Sequence, residues 1–297
     1  MKKRYLALAL AASAIIFSGC SLKRTVINST ALFMDDVVDE FMAEPDALFA
    51  EQAAPANLKL LDGLIKGSDH QNDSLLLKGC KLYGMYALAF LEDAAADEKQ
   101  DNENLSRASV FYKRAEDYGM DVLKRNSDFR SAAGGSYDDF VKVMPAFNKS
   151  DVEALFWTAF AWGSYINLNR NSADDVADLP KVKALIDRVI ELDPDYFYGL
   201  PDLFLIVYYS MPKMFGGDTD KAKAAYDAVE RISDGKFAMA DFYMAKFYAV
   251  QVQDKALFEK LLAKINSMPG DVIPEELFTS VSKKKAAVLL KKEGDLF

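Results

Sequence analysis

The sequence predicts an all-helical, repeat-like protein. Apolar residues recur at helical spacing along almost the whole chain of 297 residues. No strand-like alternation of apolar and polar residues persists. The prolines, nine in all, fall between the periodic runs, where they punctuate helices. Half of the residues are apolar, enough for one large domain or two small ones with a sizeable core.

The chain opens with Lys2, Lys3 and Arg4, followed by an apolar run over 5–17 and then Ser18, Gly19 and Cys20. The run is too short for a permanent membrane span. The pattern resembles a bacterial lipoprotein signal, with Phe17 in place of the usual Leu. That resemblance implies a signal peptide over 1–19, a lipid-modified Cys20, and a mature chain over 20–297. An ordinary secretory signal with an incidental cysteine is the alternative reading. Ser21 after the cysteine favours delivery to the outer membrane. Loss of residues 1–19, which carry three cations and no acid, takes the formal charge from −9 to about −12. Such acidity argues against nucleic acid and anionic lipid surfaces as partners. If Cys20 carries lipid, Cys80 is left without a disulfide partner. Its apolar surroundings predict a buried small hydrophobe. No segment after the signal has eighteen apolar residues free of charge, so no second anchor is expected.

The remaining elements follow in order. "STALFMDDVVDEFMAEPDALFAEQAAPANLKLLDGLIKGS" gives two or three amphipathic pieces broken at Pro45 and Pro55. "NDSLLLKGCKLYGMYALAFLEDAAADE" is a long helix. A polar stretch over 94–105 separates it from "SRASVFYKRAEDYGMDVLKRN". "SDFRSAAGGSYDDFVKVMPAFNKSD" is mostly connector with one short helix. Ser150, with Glu153 three residues on, has the spacing of a capping box. Helix pairs then succeed one another over about 151–270. "VEALFWTAFAWGSYINLN" pairs with "LPKVKALIDRVIELDPDY", "GLPDLFLIVYYSMPKMFGG" with "DTDKAKAAYDAVERISDG", and "FAMADFYMAKFYAVQVQ" with "DKALFEKLLAKINSMPG". A last helix over about 274–292 caps the array, with Pro274 suited to its first turn.

Helix pairs in succession call for a test of internal repetition. Second helices of tetratricopeptide repeats place small, aromatic, small and Pro residues in a fixed register. Val182, Ile186, Val189 and Pro194 follow it loosely, as do Ala222, Tyr226 and Val229, and Ala108, Tyr112 and Ala115. The prediction is a single domain of divergent tetratricopeptide-like hairpins in a compact solenoid, with N-terminal helices over about 30–150. A generic helical bundle is the competing reading.

The residue inventory excludes most enzyme classes. The one histidine, His70, lies in the polar stretch "KGSDHQNDS", where a loop is expected. No G-x-S-x-G and no C-x-x-C is present. Gly216–Gly217–Asp218 lacks the Lys of a phosphate loop, and Asp218 suits a helix cap. Acidic groups at 35–40, 92–93 and 174–175 read as solvated helix faces. Glu92 and Asp93, which end an apolar helix, are the best of them for a cation or for acid–base work. No catalytic residue, metal site or cofactor is expected.

The unusual stretch is 154–168, apolar on every side and holding both tryptophans. Phe156, Phe160 and Gly163 share one helical face, Trp157, Ala161 and Ser164 the next, with Trp162 and Tyr165 beyond. A helix of this kind is central. Either it packs between hairpins, or one face lines an apolar pocket in which Tyr165 and Asn167 supply polar contacts. The candidate lining residues are Phe156, Trp157, Phe160, Ala161, Trp162, Ser164 and Tyr165, joined by Phe204, Tyr208 and Met214 of the following hairpin.

Six segments occur in order: "PANLKLLDGLI", "YALAFLED", "VFYKRAEDYGMDVL", "ALFWTAFAWGSYINL", "LPKVKALIDRVIELDPDY" and "GGDTDKAKAAYDAV". Together they resemble the TatT component family of TRAP (tripartite ATP-independent periplasmic) transporters, over roughly 55–266. The resemblance implies a non-enzymatic periplasmic lipoprotein that forms a homotrimer. It implies docking to the substrate-binding protein of a TRAP system, an apolar channel through each protomer, and a small apolar or organic-acid ligand. A scaffold lipoprotein of outer-membrane assembly is the alternative function.

Overall fold

A computed structural model describes residues 26–27, 29–31, 33–92 and 98–297. The signal-like segment, Cys20 and Asp93 lie outside the described residues. All regular structure among the described residues is helical. The first helix, α1, spans 33–42. After Pro45 come α2 (Ala47–Gly67) and α3 (Asp73–Tyr86), which runs on through a π-helical turn, Ala87–Leu91. Then follow α4 (Glu98–Leu123), the short α5 (Ser127–Ala132) and α6 (Tyr137–Lys142), and α7 (Val152–Leu168). The second half comprises α8 (Ala173–Ala177), α9 (Leu179–Leu192), α10 (Leu200–Tyr209) and α11 (Thr219–Ser233). It ends with α12 (Ala238–Tyr243), extended by a second π turn Met244–Ala249, then α13 (Lys255–Ser267), α14 (Glu276–Lys291) and α15 (Glu293–Leu296).

Five local expectations are corrected. The stretch 127–151 holds two short helices, α5 and α6, and not one. Pro55 does not break α2. Its ring is exposed, while Ala47, Ala50, Ala54, Leu58, Leu61 and Ile65 form one unbroken buried stripe past it. That continuous packing outweighs the roughly 3 kcal/mol cost of an interior proline. α4 begins at Glu98, inside the polar stretch taken for a separator. The capping box lies at Asn148 and Asp151, not at Ser150 and Glu153, and it leads through a short 3-10 turn into α7. Pro274 falls just ahead of α14 and not within its first turn.

Neighbouring helices pack in sequence, α2 on α3, α3 on α4, α4 on α7 and α7 on α9. α10 pairs with α11, and α12, α13 and α14 pack together. α14 then returns to α2, where Lys284 Nζ meets Glu51 Oε2 at 2.6 Å. This return closes the array: α14 packs back on its N-terminal side. By length and composition, 73–91 is apolar enough to cross a membrane, yet 72% of that window is buried in the protein. It is therefore a core helix. Cys80 on it is wholly buried, and burial pushes its thiol pKa far up, which makes it unreactive.

The link between α9 and α10 takes three successive left-handed residues, Phe197 (φ 42°), Tyr198 (φ 60°) and Gly199 (φ 77°). Only the glycine adopts this without cost; each of the other two costs on the order of 1 kcal/mol or more. Packing holds them. The Tyr198 hydroxyl donates to Glu275 at 2.9 Å, and Phe197 packs on Phe278 of α14 with ring centroids 5.5 Å apart. α10 is thereby set as a wall facing α7.

Candidate functional site

Between α7 and α10 lies a largely apolar cavity of about 400 Å³, within the size range of small-molecule sites. Ile166 of α7 lines it at one edge, and most of the α7 wall is Phe156, Phe160, Gly163, Ser164 and Asn167. These residues follow i, i+4, i+7, i+8 and i+11, one helical face of about 16 Å at 1.5 Å per residue. The α10 wall is Leu200, Leu203, Phe204, Val207 and Tyr208, again one face. Phe204 and Tyr208 stack with centroids 6.0 Å apart. Gly163 is required by this approach, because a Cβ there would stand 2.9 Å from Phe204 Cε2.

Both π-helical turns of the described residues border the cavity. Leu88 lies in the first and Glu92 follows it; Phe247 lies in the second and Tyr243 precedes it. A π turn shifts helix register and re-aims side chains, which is why such turns recur at functional sites. Glu92 is buried and belongs to a polar end of the cavity. The wholly buried Tyr112 hydroxyl sits near Glu92 and Ser164 without a well-formed hydrogen bond. Burial first, and then the Glu92 charge, raises its pKa well above 10. Behind them the buried Lys285 donates to the Glu92 carbonyl at 2.6 Å.

The other end is the mouth. Asn167, Arg170, Val176, Pro180, Pro212 and Phe215 border it. The Arg170 guanidinium bonds the Asn167 side chain, and the residue is exposed at this rim. Met214 and Phe215 stand on the lip, 83% and 55% exposed. At its inner side the cavity shares Leu88, Met239 and Phe278 with a second, smaller hollow of about 30 Å³. These three side chains form a septum between the two spaces. No group of three or more metal-ligating side chains occurs among the described residues.

Of the ten residues singled out in the sequence, Phe156, Phe160, Ser164, Phe204 and Tyr208 border the cavity. The other five do not. Ala161 is wholly buried in packing. Trp157 packs edge-on to Phe156 with Lys81 5.6 Å above its ring. Trp162 meets Phe140 of α6. Tyr165 lies under Lys113, and Met214 faces solvent. The cavity therefore takes the Phe156–Phe160–Gly163 face of α7, and the tryptophans serve neighbouring contacts. His70 sits in an exposed turn with Nδ1 3.3 Å from Asp121 and is not among the cavity-lining residues.

The family model of the TRAP transporter T-component matches residues 43–297. The chain belongs to this family. The T-component is an accessory part of a TRAP transporter, and such transporters are envelope systems. A protein of Treponema pallidum (strain Nichols), described as uncharacterized, is 25% identical to this chain over 310 residues. That alignment covers 96% of this chain and 95% of the relative, so the two agree in overall length. In this T-component, sequence reasoning missed Arg170, Leu88 and the Tyr243–Phe247 wall. The α10 stripe at 200, 203, 204, 207 and 208 was readable from its spacing. The π register was not, because a shift of one residue leaves no mark in an apolar run.

Proposed function

We propose that this chain is a lipid-anchored T-component that holds a small ligand in the α7–α10 cavity and docks the substrate-binding subunit of its TRAP system. The observation that carries the reading is the cavity itself: two helix faces lined with rings and aliphatic side chains, with Gly163 leaving room for the Phe204 ring. A packed core leaves no such space. In this proposal Cys20 bears the lipid, the protein lies on the periplasmic side of the outer membrane, and three copies assemble. The mature chain over 20–297 acts as one domain, with no chemistry of its own.

Docking is placed at the mouth. Met214 and Phe215 are apolar side chains open to solvent beside the cavity entrance, and a partner seated there would receive ligand without its crossing water. The septum of Leu88, Met239 and Phe278 stands between the cavity and the second hollow, so passage through the protomer requires these side chains to swing aside. The test is co-purification of the TRAP substrate-binding subunit with this protein, wild type against Met214→Glu and Phe215→Glu. The proposal expects the subunit with wild type, and much less with either variant at unchanged melting temperature. Absence of the subunit from the wild type, under conditions where both proteins are folded, contradicts docking.

A further inference from the structure

We propose that the outer face of α2 rests on a lipid surface of neutral or zwitterionic head groups, so that the protomer lies against the bilayer instead of swinging freely on its anchor. This rests on the reading of Cys20 as the lipid-bearing residue and adds a second contact with the membrane.

An apolar face is left unused by the fold. Leu48, Phe49 and Leu60 of α2 are each more than half exposed, as are Val26, ahead of α1, and Phe33 at its first position. Pro55, Ala56 and Gly63 of α2 are exposed as well, and a Cβ at Gly63 would meet nothing within 4 Å. From 48 to 63 these positions recur at helical spacing along one side of α2, a strip of about 22 Å at 1.5 Å per residue. The buried stripe from Ala47 to Ile65 lies on the opposite side. Apolar side chains gathered on one open face mark a contact surface.

The strip is also poor in charge, in a protein with 45 acids. Both acids within α2 are turned to protein partners. Glu51 meets Lys284, and Asp62 accepts from the Tyr83 and Tyr118 hydroxyls. Gln52 and Lys59 are the polar side chains on the strip, and the Lys59 ammonium folds onto Asp62 at 2.9 Å. An aliphatic stem with its charge at the edge suits a helix lying in a membrane interface. The exposed acids of α1, Asp36, Asp39 and Glu40, would be repelled by anionic lipid, which restricts the surface to head groups without net charge.

Chain geometry decides the occupant. Ile27 and Met34 pack in one cluster with Leu61 and Ile65, so the start of the described chain sits beside the C-terminal half of α2. Cys20 precedes Val26 by six residues, which span at most about 20 Å even when extended. Acyl chains on Cys20 therefore bring the bilayer within reach of the Leu60 end of the strip. The anchor delivers a lipid surface, at high local concentration, to the side of α2 that is apolar and open.

The test uses the lipid-bearing protein, purified from membranes and reconstituted into vesicles of phosphatidylcholine and phosphatidylethanolamine. Leu48→Cys, Leu60→Cys and, as a control on α6, Asp138→Cys are each labelled with a nitroxide. Cys80 is wholly buried and Cys20 carries the lipid, so the label goes to the new thiol. Paramagnetic resonance then compares relaxation by oxygen, which concentrates in bilayers, with relaxation by a water-soluble nickel chelate. On vesicles, both α2 labels should be relaxed more by oxygen than by the chelate, and the α6 label more by the chelate. Phe49→Glu should shift the label at 48 back toward the chelate at an unchanged melting temperature. Chelate-dominated relaxation at 48 and 60, in protein that floats with the vesicles, overturns the membrane face and leaves the anchor standing. Exclusion of both reagents, or dipolar broadening that disappears on dilution with unlabelled protein, puts a protein surface on the strip and overturns the proposal too. Protein that fails to float with the vesicles overturns the anchor reading and this inference with it.

Discussion

Two substitutions one turn apart on α7 separate a cavity wall from packed core. Ser164 is half-buried and borders the cavity; Ala161 is wholly buried and does not. Phenylalanine at 161 has nowhere to go. It forces neighbours off their rotamers, at a cost of roughly 1–3 kcal/mol. For a chain of this size each kcal/mol lowers the melting temperature by about 2–4 °C. Phenylalanine at 164 enters open space. Its ring gains apolar burial, while Tyr112 loses one polar neighbour at about 0.5–1.5 kcal/mol. The two effects oppose, and the net change should stay within about 1 kcal/mol. Thermal melting followed by circular dichroism, with titration of the apolar dye anilinonaphthalene sulfonate, measures both consequences. Ser164→Phe should melt close to the wild type and lose dye binding. Ala161→Phe should melt several degrees lower and, where folded, still bind dye. If Ser164→Phe melts as low as Ala161→Phe and keeps the dye, the space between α7 and α10 is not the site.

Three further outcomes are expected. Asp202 is buried on α10, and burial raises its pKa from 3.8 to about 6 despite the Arg231 charge. Its contribution to stability is thus full below pH 3.8 and is lost as pH rises through about 6, a loss of at most about 3 kcal/mol. Asp202→Asn should raise the melting temperature at pH 7 and lose that advantage by pH 4; a difference constant across pH refutes the assignment. Leu88→Ala should cost about 2–5 kcal/mol and, by thinning the septum, let the cavity accept longer apolar probes. Unchanged probe length contradicts the septum. An alkyne fatty acid fed to cells should label the wild type and not Cys20→Ser, and equal labelling of both removes the lipid anchor from the account.

How far the sequence spoke depends on the kind of signal. Helical periodicity and the order of helix pairs were legible because burial enforces a 3.6-residue repeat over many turns. Pro55 misled because its exposed ring leaves the buried stripe of α2 intact. α7 was recognisable as central, but its active face was not: with apolar residues on every side, no moment points to one of them. The aromatic content drew attention to Trp157 and Trp162, which pack on Phe156 and Phe140. The cavity depends instead on the smallest residue, Gly163, and on the left-handed turn at Phe197–Gly199 that sets α10 opposite it. Arg170 went unnoticed because a lone arginine after a helix end reads as solvated surface. Its place on the cavity wall sets it apart.

The central claim is that this T-component carries a small molecule between α7 and α10. Native mass spectrometry of the full-length protein purified from its own cells tests it most directly, wild type beside Ser164→Phe. The account predicts a bound small molecule on the wild type, released on activation in the gas phase, and its absence from the equally folded variant. The same adduct on both proteins would contradict it, as would no adduct on the wild type even after incubation with a fatty acid.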